Sequence, residues 1–244
     1  VSERVEVLLE PGYVLHQRSY RNSSLIVDCV TARHGRQSLV ARGARRAEWR
    51  QRPLLQAFQP LRLSWVSRGE MGNLTLAEAA APAHDLRGEN LMAGFYLNEL
   101  LLRLVPHGDQ SDAILGCYSS CLGRLAADGN AAQALRLFEL EFLDALGYRV
   151  DLESDCRTGE PIAPDRQYTF EHEGGLTASG EHTTMEQYSG RHLIALREHR
   201  LDDPECLRAA RSLLGGILKR HLGERPLQTR LVLREIHERG LDGR

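Results

Sequence analysis

The chain has 244 residues, 42% hydrophobic and 26% charged, with a formal net charge of -2, ordinary for a soluble globular protein of one large domain or two to three small ones. Lysine is confined to Lys219, between Leu218 and Arg220, so the Gly-Lys-Ser/Thr of a phosphate-binding P-loop is absent. The charged start, Val1-Ser2-Glu3-Arg4-Val5-Glu6, does not read as a signal peptide, and no stretch approaches the roughly 18 apolar residues of a membrane span.

Residues 1–82 alternate with period two between turns. Residues 13–18 read as a strand, followed by a polar turn at 19–22. Residues 24–31 form a second strand with Leu25, Val27 and Cys29 on one face, and His34-Gly35 turns the chain into a third over 37–42. Leu61, Leu63 and Trp65 alternate in a fourth strand, and residues 73–78 give a fifth. Short strands punctuated by glycine-containing turns predict a small barrel or sandwich. The pattern changes at Pro82. Residues 89–105 are apolar nearly all round, which predicts a central buried helix. Residues 112–126 and 131–146 carry helical spacing, the latter ended by Gly147. Residues 151–183, rich in Gly, Thr, Glu and His, show no clear period and predict an irregular insert with a short hairpin. Residues 185–196 read as a helix, Asp203-Pro204 opens another that runs to about residue 222, and 227–239 form a last one.

Charge is unevenly spread along this frame. Residues 1–82 carry 12 arginines against 7 acids, whereas the remainder carries 19 basic residues against 26 acids. Within residues 31–52 lie seven arginines and a single acid, Glu48. Guanidinium groups are planar forks that suit phosphate oxygens, so nucleic acid is the expected partner. The candidate contacts are Arg33 and Arg36, flanking the turn at Gly35, and Arg42, Arg45, Arg46, Arg50 and Arg52, which follow the third strand into a long loop. Trp49 in that loop suits either stacking on a base or packing back on the barrel. Lys219 and Arg220 cap a helix C-terminus or add a DNA contact. No helix-turn-helix, zinc finger or basic zipper is visible, so phosphate contact without base readout is expected. The five cysteines, Cys29, Cys117, Cys121, Cys156 and Cys206, include no Cys-x-x-Cys pair and fit a reduced cytoplasmic compartment.

The string Val14-Leu15-His16, then Tyr20 and Ser24-Leu25, resembles the start of the RecO recombination-mediator family. So do Thr31 with His34-Gly35-Arg36, Val40-Ala41-Arg42-Gly43-Ala44-Arg45, and the run from Leu54 to Pro60. The helical part is similar at Tyr96-Leu97-Asn98-Glu99, at Leu137-Phe138-Glu139 and at Leu146-Gly147-Tyr148. The end, His221 to Arg230, is similar too, with Glu224 and Gln228 departing from the usual Gly and Lys.

The resemblance implies an α+β chain: a five-stranded OB-fold over residues 1–82, then a helical domain over 83–244 whose segment 151–183 is a zinc-finger-like insert. It implies a bacterial repair protein, cytoplasmic and nucleoid-associated, that is not an enzyme. Such a protein binds single- and double-stranded DNA, anneals strands, contacts the acidic C-terminal tail of SSB, pairs with RecR and helps RecA replace SSB. It places the SSB-tail site in the helical domain, where Arg136 and then Arg124 are the candidates, as basic groups at the lip of an apolar groove. Many members carry two Cys-x-x-Cys knuckles in the insert. Here only Cys156 remains, and one thiolate does not make a structural zinc site, so no metal or cofactor is expected. The alternative function is a metal-dependent nuclease or hydrolase using His172 and His182.

Overall fold

The computed structural model describes residues 4–69, 71–108, 112–127, 129–171, 175–180 and 184–229. Two compact units result. One comprises Val1–Gly129 and Pro226–Arg244, the other Asn130–Arg225.

In the first unit, strands β1 (Val5–Tyr20), β2 (Ser24–Thr31), β3 (Gly35–Ala41), β4 (Leu61–Ser67) and β5 (Met71–Ala79) close into a barrel of order β1-β2-β3-β5-β4. All neighbours run antiparallel except β3 and β5, which pair in parallel over Ser38–Val40 and Met71–Asn73. This is the five-stranded Greek-key barrel of an OB-fold. Alternation does what period two predicts: Leu25, Val27 and Cys29 of β2, Leu39 and Ala41 of β3, and Leu61, Leu63 and Trp65 of β4 meet in one buried core. β1 is far longer than residues 13–18. It survives a bulge between Val7 and Glu10 and another between Val14 and His16. The first bulge puts Leu9 at φ 51, where its amide donates to Ser64 Oγ at 2.9 Å. Gly12 is required by crowding, since a Cβ there would meet the Val30 carbonyl oxygen at 2.5 Å.

Helices α1 (Gly88–Leu104) and α2 (Asp112–Ala126) belong to this unit and cover the outside of β1. Tyr13 meets Tyr118 edge-on at 5.1 Å and shares a hydrogen bond with Ser119 at 2.9 Å. The helix-to-barrel joint turns on Asn98. Its Nδ2 donates to the Leu15 carbonyl at 3.0 Å and its Oδ1 accepts from the Tyr118 hydroxyl at 2.7 Å. Burial pushes the Tyr118 hydroxyl well above its ordinary value, so it stays a neutral donor. α1 is not buried all round; Phe95 on its other face is 40% exposed. After the second unit the chain returns, and the Gln228 and Thr229 amides donate to Glu99 at 2.7 and 2.9 Å.

The second unit contains α3 (Ala131–Ala145), strands β6 (Gln167–Glu171), β7 (Gly175–Ala178) and β8 (Gln187–Ser189), and helices α4 (Gly190–Arg197) and α5 (Pro204–Leu222). Asn130 caps α3 by accepting from the Ala132 and Gln133 amides, and Gly147 at φ 82 follows its end. Asp203 caps α5 with proline in the first turn, and Gly223 at φ 70 ends it. The segment expected to be irregular holds an antiparallel sheet of order β7-β6-β8, one strand more than a hairpin. β8 takes the beginning of what reads in sequence as the 185–196 helix, because Tyr168 and Tyr188 pair across β6 and β8 and are both buried. The expected helix over 227–239 lies almost wholly outside the described residues. Among the described residues no helix is long and apolar enough to cross a membrane.

Asn98→Ala leaves the Tyr118 hydroxyl and the Leu15 carbonyl buried without partners. The expected loss is about 1–3 kcal/mol. Urea unfolding compared with wild type measures it, and an unchanged midpoint would show that the joint contributes nothing.

Candidate nucleic-acid interface

The seven arginines are contiguous in sequence but not in space. β3 runs between them and carries the chain on the order of 20 Å, from the Gly35 turn to the Arg42 loop. Arg33 and Arg36 stand at one end of the barrel, and Arg42, Arg45, Arg46, Arg50 and Arg52 at the other.

At the first end the guanidiniums have protein partners. Glu10, fully buried at the β1 bulge, accepts from the Arg33 amide at 2.6 Å and from Arg33 Nε at 2.9 Å, with the Arg33 terminal nitrogen at 2.7 Å. His34 Nδ1 lies 3.6 Å from the same carboxylate, and its ring meets Trp65 edge-on at 5.2 Å. Burial pushes the Glu10 carboxyl up, but the Arg33 amide, the Arg33 guanidinium and His34 together hold it below the ordinary glutamate range. Arg36 Nε donates to the Val105 carbonyl at 2.8 Å, tying β3 to the end of α1. These two residues fasten the turn.

At the second end the 42–60 connection is wound in short turns and tied to the barrel. The Arg45 amide donates to the Ser23 carbonyl at 2.9 Å and the Trp49 amide to the Arg46 carbonyl at 3.2 Å. Gln51 Oε1 accepts from the Ala77 amide at 2.9 Å, just ahead of a 3-10 turn at Arg52–Leu54. Two clefts open beside this connection. One of about 510 Å³ is lined by Arg21, Arg42 and Arg46 with Tyr20 and Asn73. The other, of about 630 Å³, is lined by Arg18, Arg46, Arg50 and Arg52 with Trp49. Arg46 borders both, and no acidic residue lines either one among the described residues. Arg42 Nε donates to Asn73 Oδ1 at 2.9 Å, and the Arg21 guanidinium lies over the Tyr20 ring at 5.1 Å. Trp49 packs back against the barrel core and also walls the second cleft. Sequence reasoning missed Arg18 and Arg21. Their signal was the β1–β2 turn, which the antiparallel register places beside the end of β3.

The remaining candidates lie elsewhere. Arg136 is a correction: it is not at a groove lip but buried, 6% exposed, with its terminal nitrogen 2.6 Å from the fully buried Glu139 one helical turn away. An arginine on the apolar face of α3 is tolerated because Glu139 neutralises it there. Arg124 is half-buried in the last turn of α2. Lys219 and Arg220 are exposed in the last turn of α5, where cations favour the helix dipole. His172 and His182 lie outside the described residues. Cys156 is an exposed free thiol. His192, Asp203 and Glu205 bring donor atoms within 4.8 Å of one another. Both carboxylates have protein partners there, Asp203 as the cap of α5 and Glu205 beside Arg191 and Arg208.

A closed five-stranded barrel with cationic clefts at one end defines an oligonucleotide-binding type of domain. The chain matches the families described as Recombination protein O N terminal over residues 6–83 and Recombination protein O C terminal over residues 86–231. It is 40% identical over 228 residues to the DNA repair protein RecO of Methylococcus capsulatus, covering 93% of each chain. It is 41% identical over 237 residues to that of Nitrosococcus oceani, covering 97% of this chain and 96% of the other, and 38% identical to that of Aliivibrio fischeri, covering 91% and 93%. The chain belongs to the RecO family of DNA repair and recombination proteins.

Because the folded pKa of Glu10 is depressed, its ionised form stabilises the fold. That contribution is full above the ordinary glutamate range and is lost as pH falls through the lowered value. Glu10→Gln is expected to cost about 1.5–3 kcal/mol at neutral pH, the worth of hydrogen bonds to a charged group. Denaturation of both proteins across pH tests this: the gap should narrow on acidification, and a gap independent of pH would overturn it.

Proposed function

We propose that the chain is a non-enzymatic, ATP-independent recombination mediator that binds DNA and anneals complementary strands. The observation that carries this reading is the pair of acid-free, arginine-lined clefts at one end of an OB barrel in a RecO-family chain. Arginines there neutralise phosphates on two polyanionic strands so that they meet, and base pairing supplies the free energy. Single- and double-stranded DNA both bind in this way, without base readout. The DNA contacts are Arg42, Arg45, Arg46, Arg50 and Arg52, joined by Arg18 and Arg21, with Lys219 and Arg220 as an auxiliary patch. Arg33 and Arg36 act by holding the opposite turn. The protein works in the cytoplasm on the nucleoid, engages the SSB tail, pairs with RecR and helps RecA replace SSB. Family membership supports these partners. For the tail the proposed contact is Arg124, the second candidate, because Arg136 is buried.

Replacing Arg42, Arg45 and Arg46 together with alanine should weaken binding to all sequences alike. The log–log salt slope should flatten by about 0.7 per lost single-strand phosphate contact. A salt titration in chelator without nucleotide measures this, and unchanged affinity and slope would move the footprint elsewhere. Cleavage of labelled DNA in Mg²⁺ or Mn²⁺ would favour the hydrolase reading instead.

Arg124→Glu should lower affinity for an acidic-hydrophobic tail peptide by roughly tenfold or more, as loss of an anchor arginine does. Annealing of naked strands should persist while annealing of SSB-coated strands falls. Arg136→Glu sets a second carboxylate against buried Glu139 and should cost about 3–5 kcal/mol of stability. Peptide affinity, the two annealing assays and thermal melts separate these effects. An Arg124→Glu protein that loses naked annealing but keeps peptide affinity would reverse the assignment of surfaces.

A further inference from the structure

The two arginine clefts differ in what they offer besides charge. Apolar groups of Leu25, Trp49 and Pro53 line the larger, whereas the smaller is lined mainly by hydroxyl, amide and guanidinium groups. Phosphates need no apolar wall. A nucleobase does, because its π face gains from stacking and loses from exposure to water.

The geometry points to the larger cleft as a seat for one unstacked nucleobase of single-stranded DNA, stacked at Trp49, with the adjoining phosphates at Arg46 and in the smaller cleft. This rests on the DNA-binding reading of the same rim and adds a strand preference to it.

Four features carry the assignment. Trp49 is held from behind: it packs on the barrel core, so its ring is fixed before any ligand arrives. Its backbone is held too, by the turn to Arg46 and by the Arg52 amide, which donates to the Trp49 carbonyl at 3.3 Å. The cleft of about 630 Å³ falls in the range of small-molecule sites, about 300–1,000 Å³. Gln17 and Gln56 also line it and offer amides, which donate and accept, to a base edge. Arg46 borders both clefts, so a strand that leaves a base in one meets the next guanidiniums, Arg42 and Arg21, in the other. A duplex presents phosphates to such a rim but keeps its base faces stacked, and so uses only half of what the rim provides. An acidic peptide with an apolar end is the competing occupant. It would use the same charges, but the continuation into the polar, arginine-lined smaller cleft favours an evenly spaced polyanion.

The chain has two tryptophans, and the other, Trp65, is 2% exposed inside the barrel. A change in tryptophan emission on ligand binding therefore reports chiefly on Trp49. The experiment titrates the full chain at low salt with oligothymidylate, an abasic oligomer of equal length and charge, a hairpin duplex, and a peptide with an acidic, phenylalanine-terminated end. Oligothymidylate should quench the fluorescence and bind roughly tenfold or more tighter than the abasic strand, the worth of one stacked base. The abasic strand and the duplex should bind without comparable quenching. Trp49→Leu keeps an apolar side chain against the core but has no π face, so it should bring oligothymidylate down to the abasic level and leave the duplex unchanged. Trp49→Phe, read by anisotropy of labelled strands, should restore most of the difference, and melts of both variants show whether the core is intact. Equal affinity for base-bearing and abasic strands would overturn the base seat while leaving the phosphate reading in place. Absence of binding to all three nucleic acids would overturn both. Quenching by the peptide, displaced by neither strand, would overturn the base seat in favour of a peptide site.

Discussion

Three residues of parallel pairing between β3 and β5 close the barrel, and the arginine rim depends on that closure. Parallel pairs are slightly less stable per residue than antiparallel ones, and here the ladder is short. Its last rung, Val40 opposite Asn73, lies two residues from Arg42, whose guanidinium Asn73 grips. Opening this seam would release β3 from β5 and leave two unpaired strand edges. It would also separate Arg42 from the side chain that orients it. The 42–60 connection has ties of its own, to Ser23 and Ala77 and through Ala44 and Leu55 in the core, but none of them joins β3 to β5.

The same charge type does two jobs in this chain, and the difference lies in what faces each guanidinium. Arg33 and Arg136 each meet a fully buried carboxylate, Glu10 and Glu139. Removing either arginine would strand a charge in the interior, so they belong to the fold. Among the described residues that line the two clefts no acid answers the arginines; their protein partners are neutral, Asn73 for Arg42 and the Tyr20 ring for Arg21, so their mutual repulsion favours a polyanion. A region left in that condition is a site that has given up some stability of its own.

Period-two alternation and turn glycines in residues 24–79 were enough to read the barrel strands, because inward residues such as Leu39 and Leu63 must be apolar while their neighbours need not be. The cap at Asp203 marked a helix start, and Gly147 a helix end, for an equally local reason. What could not be read is non-local. Arg136 looked like a lip residue because nothing local shows that Glu139 turns inward with it. Cleaving the arginine block into two ends needed the direction of β3. Arg18 and Arg21 joined the clefts only through the register of β1 with β2. Of the three strands after residue 166 only β8 goes beyond the expected hairpin, and it was invisible because its anchor, Tyr188, is separated from Tyr168 by a polar stretch.

The chain leaves its first unit at Gly129 and returns to it at Pro226. Glu99 waits for the Gln228 and Thr229 amides across that interval, and Arg103 for the Pro226 carbonyl at 3.2 Å. On a ribosome the barrel, α1 and α2 emerge first, yet their last hydrogen bonds come only after the whole of the second unit has been synthesised. The barrel's unit is therefore completed only by residues that follow the second unit, and translation that stopped within the second unit would yield a barrel with its cations in place and its clasp undone.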